Sequence, residues 1–124
     1  MTYKSNPVGN EITCIMYGLN KALLSDAKKL ENLLLEAASQ ENFKILNKIS
    51  HTFKPYGYSA VLLIQESHIA IHTYPEYCSL VFNLYSCRGS QDGFKAYEYF
   101  KNALQPSRIE FRQSNVSVDI GKEI

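Results

Sequence analysis

The chain has 124 residues, of which 45% are hydrophobic and 20% are charged. A chain of this length and composition is expected to bury roughly two-thirds of its unfolded surface in one core, without help from a disulfide or a metal. Thirteen basic and twelve acidic side chains leave a net charge of +1, so no overall field attracts nucleic acid or an anionic membrane. We therefore expect neither of these partners.

The first ten residues do not resemble a secretory signal, because no basic segment is followed by an apolar one. No run reaches the roughly 18 apolar residues of a membrane span. We therefore expect a cytoplasmic protein. The chain has three cysteines, Cys14, Cys78 and Cys87. Because this number is small and odd, it does not suit a disulfide framework, and at least one thiol is free.

In the first half of the chain we predict a strand, a helix and a second strand. Residues 12–19 mix apolar and β-prone side chains and end in a turn. A helix follows, because apolar residues recur at spacings of three and four and Ser25 or Asp26 can cap its start. Residues 44–53 are predicted to form the next strand. The apolar stripe of the helix consists of Ala27, Leu30, Leu33, Leu34, Ala37 and Ala38.

In the second half we predict three short strands, a helix and a final strand. The strands cover residues 58–64, 68–73 and 80–86. Asp92 can cap the helix, which carries an apolar stripe and ends before Pro106. The last strand covers residues 108–112, with residues 116–120 as a weaker candidate. The stripe of this helix consists of Phe94, Tyr97, Phe100 and Leu104.

This order of elements predicts an α+β fold. Strands that follow one another with short connections favour an antiparallel sheet, and two amphipathic helices can cover one of its faces. We therefore expect a two-layer sandwich with both helices on the same face. No linker rich in proline, glycine or serine divides the chain, so residues 1–124 are expected to form a single domain.

A polar cluster follows the apolar strand of residues 58–64, and several interpretations are open for it. The alternation of side chains along residues 68–72 is also typical of a half-buried strand with histidines on its surface. A zinc site using Cys78 and Cys87 is disfavoured, because the spacings match no common site and the two histidines would be roughly 13 Å apart on a strand. A nucleophilic pair of Cys87 with His72 lacks the local sequence of a thiol hydrolase. The cluster consists of Glu66, Ser67, His68, His72 and Glu76.

Residues 66–77 read Glu-Ser-His-Ile-Ala-Ile-His-Thr-Tyr-Pro-Glu-Tyr. This segment closely resembles the self-cleavage motif of the short prokaryotic S-adenosylmethionine decarboxylases. The resemblance extends from residues 55–59, through Cys87, to residues 95–97. It is weak before residue 50, where the usual opening Gly-Arg-His signature is absent, and it fades beyond Leu104.

The resemblance implies that the chain cuts itself between Glu66 and Ser67. In this family the serine attacks the preceding carbonyl, an N-to-O acyl shift forms an ester, and β-elimination leaves a pyruvoyl group. The implied products are a β chain of residues 1–66 and an α chain of residues 67–124 that begins with a pyruvoyl group derived from Ser67. His72 matches the histidine that takes the proton in the elimination, and Ser59 matches a second serine that assists processing.

A straight strand would not bring Ser67 and His72 together. Five residues of strand span roughly 16 Å and place the two side chains on opposite faces. We therefore expect Ser67 to lie at a turn or bulge, or to be reached from another subunit.

The resemblance also implies the chemistry after cleavage. The pyruvoyl carbonyl forms a Schiff base with the substrate amine and accepts the electrons released with carbon dioxide. Cys87 matches the general acid that returns a proton to the α-carbon, and a thiol remains protonated at neutral pH for this task. Phe53 and Tyr74 match the aromatic residues that sandwich adenine, and Glu76 matches the carboxylate that contacts the ribose. No metal is implied.

More than one substrate is compatible with this resemblance. Tyr74 stands where the family usually has tryptophan, and further departures flank the motif. S-adenosylmethionine, for polyamine (spermidine) synthesis, is the first hypothesis, and arginine or ornithine with the same pyruvoyl chemistry is the alternative. A third hypothesis is an uncleaved regulatory homologue without activity. The further departures from the family sequence, which flank the motif, are Gln65, Cys78, Asn83 and Arg88.

The resemblance also implies a homodimer with active sites near the interface.

Replacement of Ser67 by alanine removes the attacking hydroxyl, so we expect Ser67→Ala to give an uncut, inactive chain. Mass spectrometry of the denatured protein measures this directly. The unsubstituted protein should give two fragments that part between Glu66 and Ser67, and a single species at the full-chain mass would contradict the hypothesis of self-cleavage.

Overall fold

The structure is a computed structural model and describes residues 2–121. It contains strands β1 to β6, helices α1 to α3 and one short 3-10 helix. The strands are β1 (Val8–Tyr17), β2 (Lys44–Thr52), β3 (Tyr58–Gln65), β4 (Ser67–Tyr74), β5 (Ser79–Ser86) and β6 (Arg108–Ser117). The helices are α1 (Lys21–Leu24), α2 (Ala27–Gln40) and α3 (Phe94–Leu104), and the 3-10 helix is Pro75–Tyr77.

All six strands form one sheet in the order β2-β3-β4-β5-β1-β6. Every neighbouring pair is antiparallel. The strands β2 to β5 follow one another as a meander, because the turns between them are short. The first strand then lies between β5 and β6 and closes the order. The predicted α+β class and antiparallel sheet are therefore confirmed.

One face of the sheet is buried under α2 and α3. Alternate residues of the strands point to this face, as the period of two in a strand requires. The rings of Phe82 in β5 and Phe100 in α3 lie 5.4 Å apart at the centre of this core. Both side chains are fully buried. The prediction that both helices lie on one face is confirmed.

The opposite face of the sheet, here called the open face, is covered by no helix of the described chain. Apolar side chains of β2 and β3 are exposed on it: Ile49 is 72% exposed, Leu63 50% and Val61 40%. A patch of this kind is unusual on a monomer and is typical of an interaction surface. The side chains that alternate with the core along β3 and β4, including His68 and His72, also lie on this face.

Local differences from the predicted elements have local causes. The turn predicted after residues 12–19 leads into the short helix α1, which was not predicted; the side chain of Asn20 accepts hydrogen bonds from two backbone amides and caps this helix. Asp26 caps α2 through the amide of Lys29, one of the two predicted caps. Asp92 does not cap α3, which begins after Gly93 without a side-chain cap. The prediction of a separate strand at residues 116–120 was wrong, because β6 runs unbroken to Ser117 against β1.

Phe100→Ala would leave a cavity against Phe82, so we expect it to lower the free energy of unfolding by about 3–5 kcal/mol. Urea unfolding in the uncleaved Ser67→Ala background measures this change. Asn102→Ala, on the exposed side of the same helix, is the matched control and should change stability by less than about 0.5 kcal/mol. Equal effects of the two substitutions would contradict the position of Phe100 in the core.

Candidate active site

The turn between β3 and β4 holds Glu66 and Ser67, the two residues at the predicted cleavage position. Glu66 occupies the turn and Ser67 begins β4. The φ angle of Ser67 is 141°, a conformation that costs a residue other than glycine on the order of 1–3 kcal/mol. The structure therefore places the backbone of Ser67 in a strained conformation at this turn.

The carbonyl group of Glu66 faces Cys87. The backbone amide of Cys87 donates to the Glu66 carbonyl oxygen at 3.4 Å, and the Cys87 Sγ contacts the same oxygen at 3.5 Å. This meeting follows from the sheet, since Ser67 pairs with Ser86 across β4 and β5. Two donors at one carbonyl oxygen are the arrangement that stabilises negative charge as it develops there.

The thiol of Cys87 is held in its protonated form. Burial of the Sγ raises its pKa above the ordinary value of a cysteine, and the negative charge of Glu66 raises it further. A raised pKa keeps the proton on sulfur at neutral pH. Cys87 is therefore suited to donate a proton rather than to act as a nucleophile.

A cavity of about 570 Å³ opens beside these residues, within the size range of small-molecule sites. Tyr3, Leu46 and Tyr85 line it together with Ser67 and Cys87. Tyr3 reaches it from the N-terminal segment, where its hydroxyl donates to the carboxylate of Glu66.

A second group of candidate residues lies at the other end of β3 and β4. Ser59 pairs with His72 in the sheet, and the Ser59 hydroxyl is hydrogen-bonded to Nδ1 of His72. The His72 ring lies 4.6 Å from the ring of Tyr74 and 5.9 Å from that of Phe53. These aromatic residues and Glu76 line a cavity of about 370 Å³.

The two groups are separate within one chain. Ser67 pairs with Ser86, whereas His72 pairs with Val81, five positions farther along β5. Five positions of strand correspond to roughly 16 Å. The turn at Ser67 does not shorten this separation, so the structure brings Glu66, Ser67 and Cys87 together but leaves the group of His72 apart from them.

Neither a metal cluster nor a membrane-crossing helix is found among residues 2–121. No group of three or more histidine, cysteine, aspartate or glutamate side chains there is placed to hold a metal ion. None of the helices in this part of the chain has the length and hydropathy to cross a membrane.

Comparison with known proteins decides the family. The family model for S-adenosylmethionine decarboxylase matches residues 10–115. A protein of Thermosipho melanesiensis named S-adenosylmethionine decarboxylase proenzyme is 36% identical over 102 residues, which are 82% of this chain and 78% of the relative. A proenzyme of the same name from Thermotoga maritima is 33% identical over the same shares of both chains. This chain belongs to the S-adenosylmethionine decarboxylase family.

Solved structures support the same fold for this member of the family. The adenosylmethionine decarboxylase of Aquifex aeolicus superposes with a TM-score of 0.86 over 97% of this chain and 99% of that one, at 24% identity. A Trypanosoma brucei AdoMetDC-delta26 monomer gives a TM-score of 0.59 at 17% identity, over 82% of this chain and 44% of that one. The fold of this S-adenosylmethionine decarboxylase homologue therefore corresponds to less than half of the trypanosomal chain.

Several residues around Ser67 were not among the predicted site residues of this S-adenosylmethionine decarboxylase homologue. Tyr3 precedes the part of the chain that matches the family, and nothing in its local sequence points to the site. Leu46 was predicted only as part of a strand. The alternation in β5 was a signal for Tyr85 and Asn83, because both fall on the face opposite the core.

The loop after Cys87 is held by ionic hydrogen bonds. The buried hydroxyl of Ser86 donates to Asp92, and Arg88 donates to the same carboxylate at 2.8 Å. Arg88 also donates to the Glu41 carbonyl at 2.9 Å. Burial alone would raise the pKa of Asp92, but the hydrogen bonds from Arg88 and Ser86 outweigh it, so the pKa is lowered. These contacts fix the chain on both sides of Cys87.

We expect Asp92→Asn to lower the free energy of unfolding by about 2 kcal/mol at pH 7, because charged hydrogen bonds are lost. The lowered pKa means that this stabilisation is complete above the unfolded pKa of about 3.9 and is lost as the pH falls through the folded pKa. The difference between variant and parent should therefore shrink below about pH 4. Urea unfolding at pH 7 and pH 3, in the Ser67→Ala background, measures both values.

The exposed Asp119 offers a control, since Asp119→Asn should leave the stability nearly unchanged at both pH values. A difference between Asp92→Asn and its parent that is the same at pH 3 and pH 7 would contradict the ionic origin of the contact.

Proposed function

We propose that this chain is a proenzyme that cuts itself between Glu66 and Ser67 and then decarboxylates S-adenosylmethionine. The observation that carries the proposal is the contact of Cys87 with the Glu66 carbonyl, directly beside the hydroxyl-bearing residue at the turn. The relatives named S-adenosylmethionine decarboxylase proenzyme support both the cleavage and the substrate.

The geometry of the turn favours the acyl shift. The Ser67 hydroxyl adds to the Glu66 carbonyl carbon, and the carbonyl oxygen gains negative charge next to the amide and thiol of Cys87. Collapse of this adduct breaks the C–N bond and leaves an ester and a free amine. The strained φ of Ser67 favours the reaction, because cleavage releases the backbone at that position.

The residues present fit a pyruvoyl group at position 67. Ser67 supplies its atoms, the cavity of about 570 Å³ gives it access to a substrate, and Cys87 lies within reach of the same point. The pyruvoyl group supplies a carbonyl that withdraws the electron pair released with carbon dioxide. Cys87 holds a proton on Sγ at this point, because its raised pKa favours the thiol.

The second cavity supplies contacts suited to a nucleoside. Phe53 and Tyr74 present aromatic faces, which bind a flat base and a positively charged sulfonium group. Glu76 is the single acid among the described residues that line this cavity, and Lys54 is also there. This composition favours S-adenosylmethionine over arginine or ornithine, whose distal cation needs acidic partners.

A homodimer would complete the site, because one chain separates its two halves. We propose that the open face packs against the open face of a second copy. Packed sheets lie about 10 Å apart, and a twofold axis that lies between the two sheets, perpendicular to their strands, would set the Ser67 end of one chain against the His72 end of the other. The exposed Ile49, Val61 and Leu63 provide the apolar contact.

Co-expression of Ser67→Ala with His72→Ala chains tests the shared site. Each variant alone should remain uncut, whereas a mixed dimer contains one site with both Ser67 and His72 intact. We expect mass spectrometry to find the fragments of residues 1–66 and 67–124 from the His72→Ala chain, in the mixed sample alone. Absence of these fragments from an isolated mixed dimer would contradict a site shared between subunits.

Release of carbon dioxide from S-adenosylmethionine, arginine and ornithine, measured side by side on the cleaved protein, tests the substrate. We expect activity on S-adenosylmethionine alone. Tyr74→Ala should lower kcat/KM for it by about tenfold to a hundredfold, because a stacking contact of roughly 1–3 kcal/mol is lost. Tyr74→Trp should retain activity and serves as the control for an aromatic face at this position. Activity on arginine or ornithine instead would overturn the substrate assignment.

A further inference from the structure

The side chain next to the scissile serine belongs to a hydrogen-bonded chain that the proposed function does not use. Ser67 Oγ lies 3.3 Å from Nδ1 of His68. Nε2 of the same ring lies 2.9 Å from Oδ1 of Asn83, and Asn83 in turn contacts Thr13 on β1. From these contacts we infer that His68 is the base that takes the Ser67 proton in the acyl shift, with Asn83 as the positioning residue. The inference rests on self-cleavage at Ser67.

The contacts of Asn83 decide which way its amide points. Its Nδ2 lies 2.9 Å from the Thr13 hydroxyl and 3.4 Å from the carbonyl oxygen of Ile12. A backbone carbonyl can only accept hydrogen bonds, so the NH₂ group must face β1. The amide oxygen of Asn83 is therefore the atom that faces His68.

The orientation of Asn83 fixes the tautomer of His68. An amide oxygen can only accept, so Nε2 of His68 carries a proton and donates it to Asn83. In the neutral ring, Nδ1 then has a free lone pair. This lone pair faces the Ser67 hydroxyl, which is the arrangement that a general base requires.

The sheet and its turn together create this geometry. Neighbouring residues in a strand point to opposite faces, so Ser67 and His68 would not contact each other in a straight strand. The positive φ of Ser67 at the start of β4 permits the contact. His68 and Asn83 lie on the open face, where β4, β5 and β1 are adjacent.

His68 both accepts and returns the proton that moves in the acyl shift. Nδ1 takes the hydroxyl proton as Ser67 Oγ bonds to the Glu66 carbonyl carbon. When the C–N bond then breaks, the amine nitrogen of Ser67 receives that proton back from Nδ1. The ring ends as it began, and no other reactant is needed. His72, distant from Ser67 in its own chain, remains for the later elimination.

The test separates the acyl shift from the elimination. Hydroxylamine cleaves esters but not peptide bonds under mild conditions, so it reports the ester directly. In His72→Ala, where elimination is blocked, hydroxylamine should release fragments of residues 1–66 and 67–124. In the double variant His68→Ala/His72→Ala we expect this release to be about a hundredfold slower, the usual loss when a general base is removed. Imidazole added to the buffer should restore part of the rate.

Asn83 offers a matched pair of variants in the same assay. Asn83→Asp keeps an oxygen acceptor for Nε2 and should release fragments at close to the parental rate. Asn83→Leu keeps the size but removes the acceptor, and it should slow the release by about tenfold or more. Thermal unfolding monitored by circular dichroism verifies that each variant is folded.

The outcomes distinguish the two proposals. If His72→Ala releases no fragments with hydroxylamine and the unsubstituted protein is uncut, self-cleavage itself is wrong. If His72→Ala releases them and His68→Ala/His72→Ala does so at the same rate, the role of His68 alone is wrong. A slow, folded double variant that imidazole does not accelerate would also overturn it, because a merely structural role then explains the loss.

Discussion

The register between β4 and β5 is the constraint on which the site depends. Because Ser67 pairs with Ser86, the next residue, Cys87, is carried to the carbonyl oxygen of Glu66. A shift of one position would turn every side chain of β4 to the other face of the sheet. The buried Ile69 and Ile71 would then lose their place in the core. Burial of these apolar side chains therefore holds the reacting groups in register.

The same register also separates the site into two groups. Ser67 lies at the start of β4 and His72 lies near its end, so the two residues are at opposite ends of the strand. No turn within the chain can shorten that distance, since β4 is continuous between them. We therefore propose that the open face contributes to catalysis. Its exposed apolar side chains would pack two copies of the chain together and so bring the Ser67 group of one copy to the His72 group of the other.

Two histidines in one strand would divide the work of self-cleavage. His68 contacts the serine of its own chain, whereas His72 is hydrogen-bonded to Ser59 and faces the same open surface. The acyl shift would then depend on contacts inside one chain, and the elimination on contacts between chains. Such a division would allow the ester to form before assembly and the prosthetic group to form only after it.

The sequence alone determined the fold class, most element positions and the family. Periodic apolar residues require a buried face whatever the partner, so both long helices were predicted, and the strands β2 to β5 were predicted within one residue of their ends. The predicted first strand starts four residues after the observed β1, and the predicted last strand ends five residues before the end of β6. A short motif around Ser67 was enough to identify the chemistry, since self-cleavage needs a hydroxyl next to the broken bond. Residues 10–115 match the family model in agreement with that motif.

Only the tertiary structure decided which side chains meet. Tyr3 and Glu66, or His68 and Asn83, are far apart in sequence, and no local pattern encodes their contact. Strand order and register bring them together, and both are set by burial summed over the whole sheet rather than by any one segment. The separation of His72 from Ser67 was expected from strand geometry. Only the folded structure shows that the turn leaves this separation unchanged. It also shows that the Ser67 hydroxyl lies next to His68 instead.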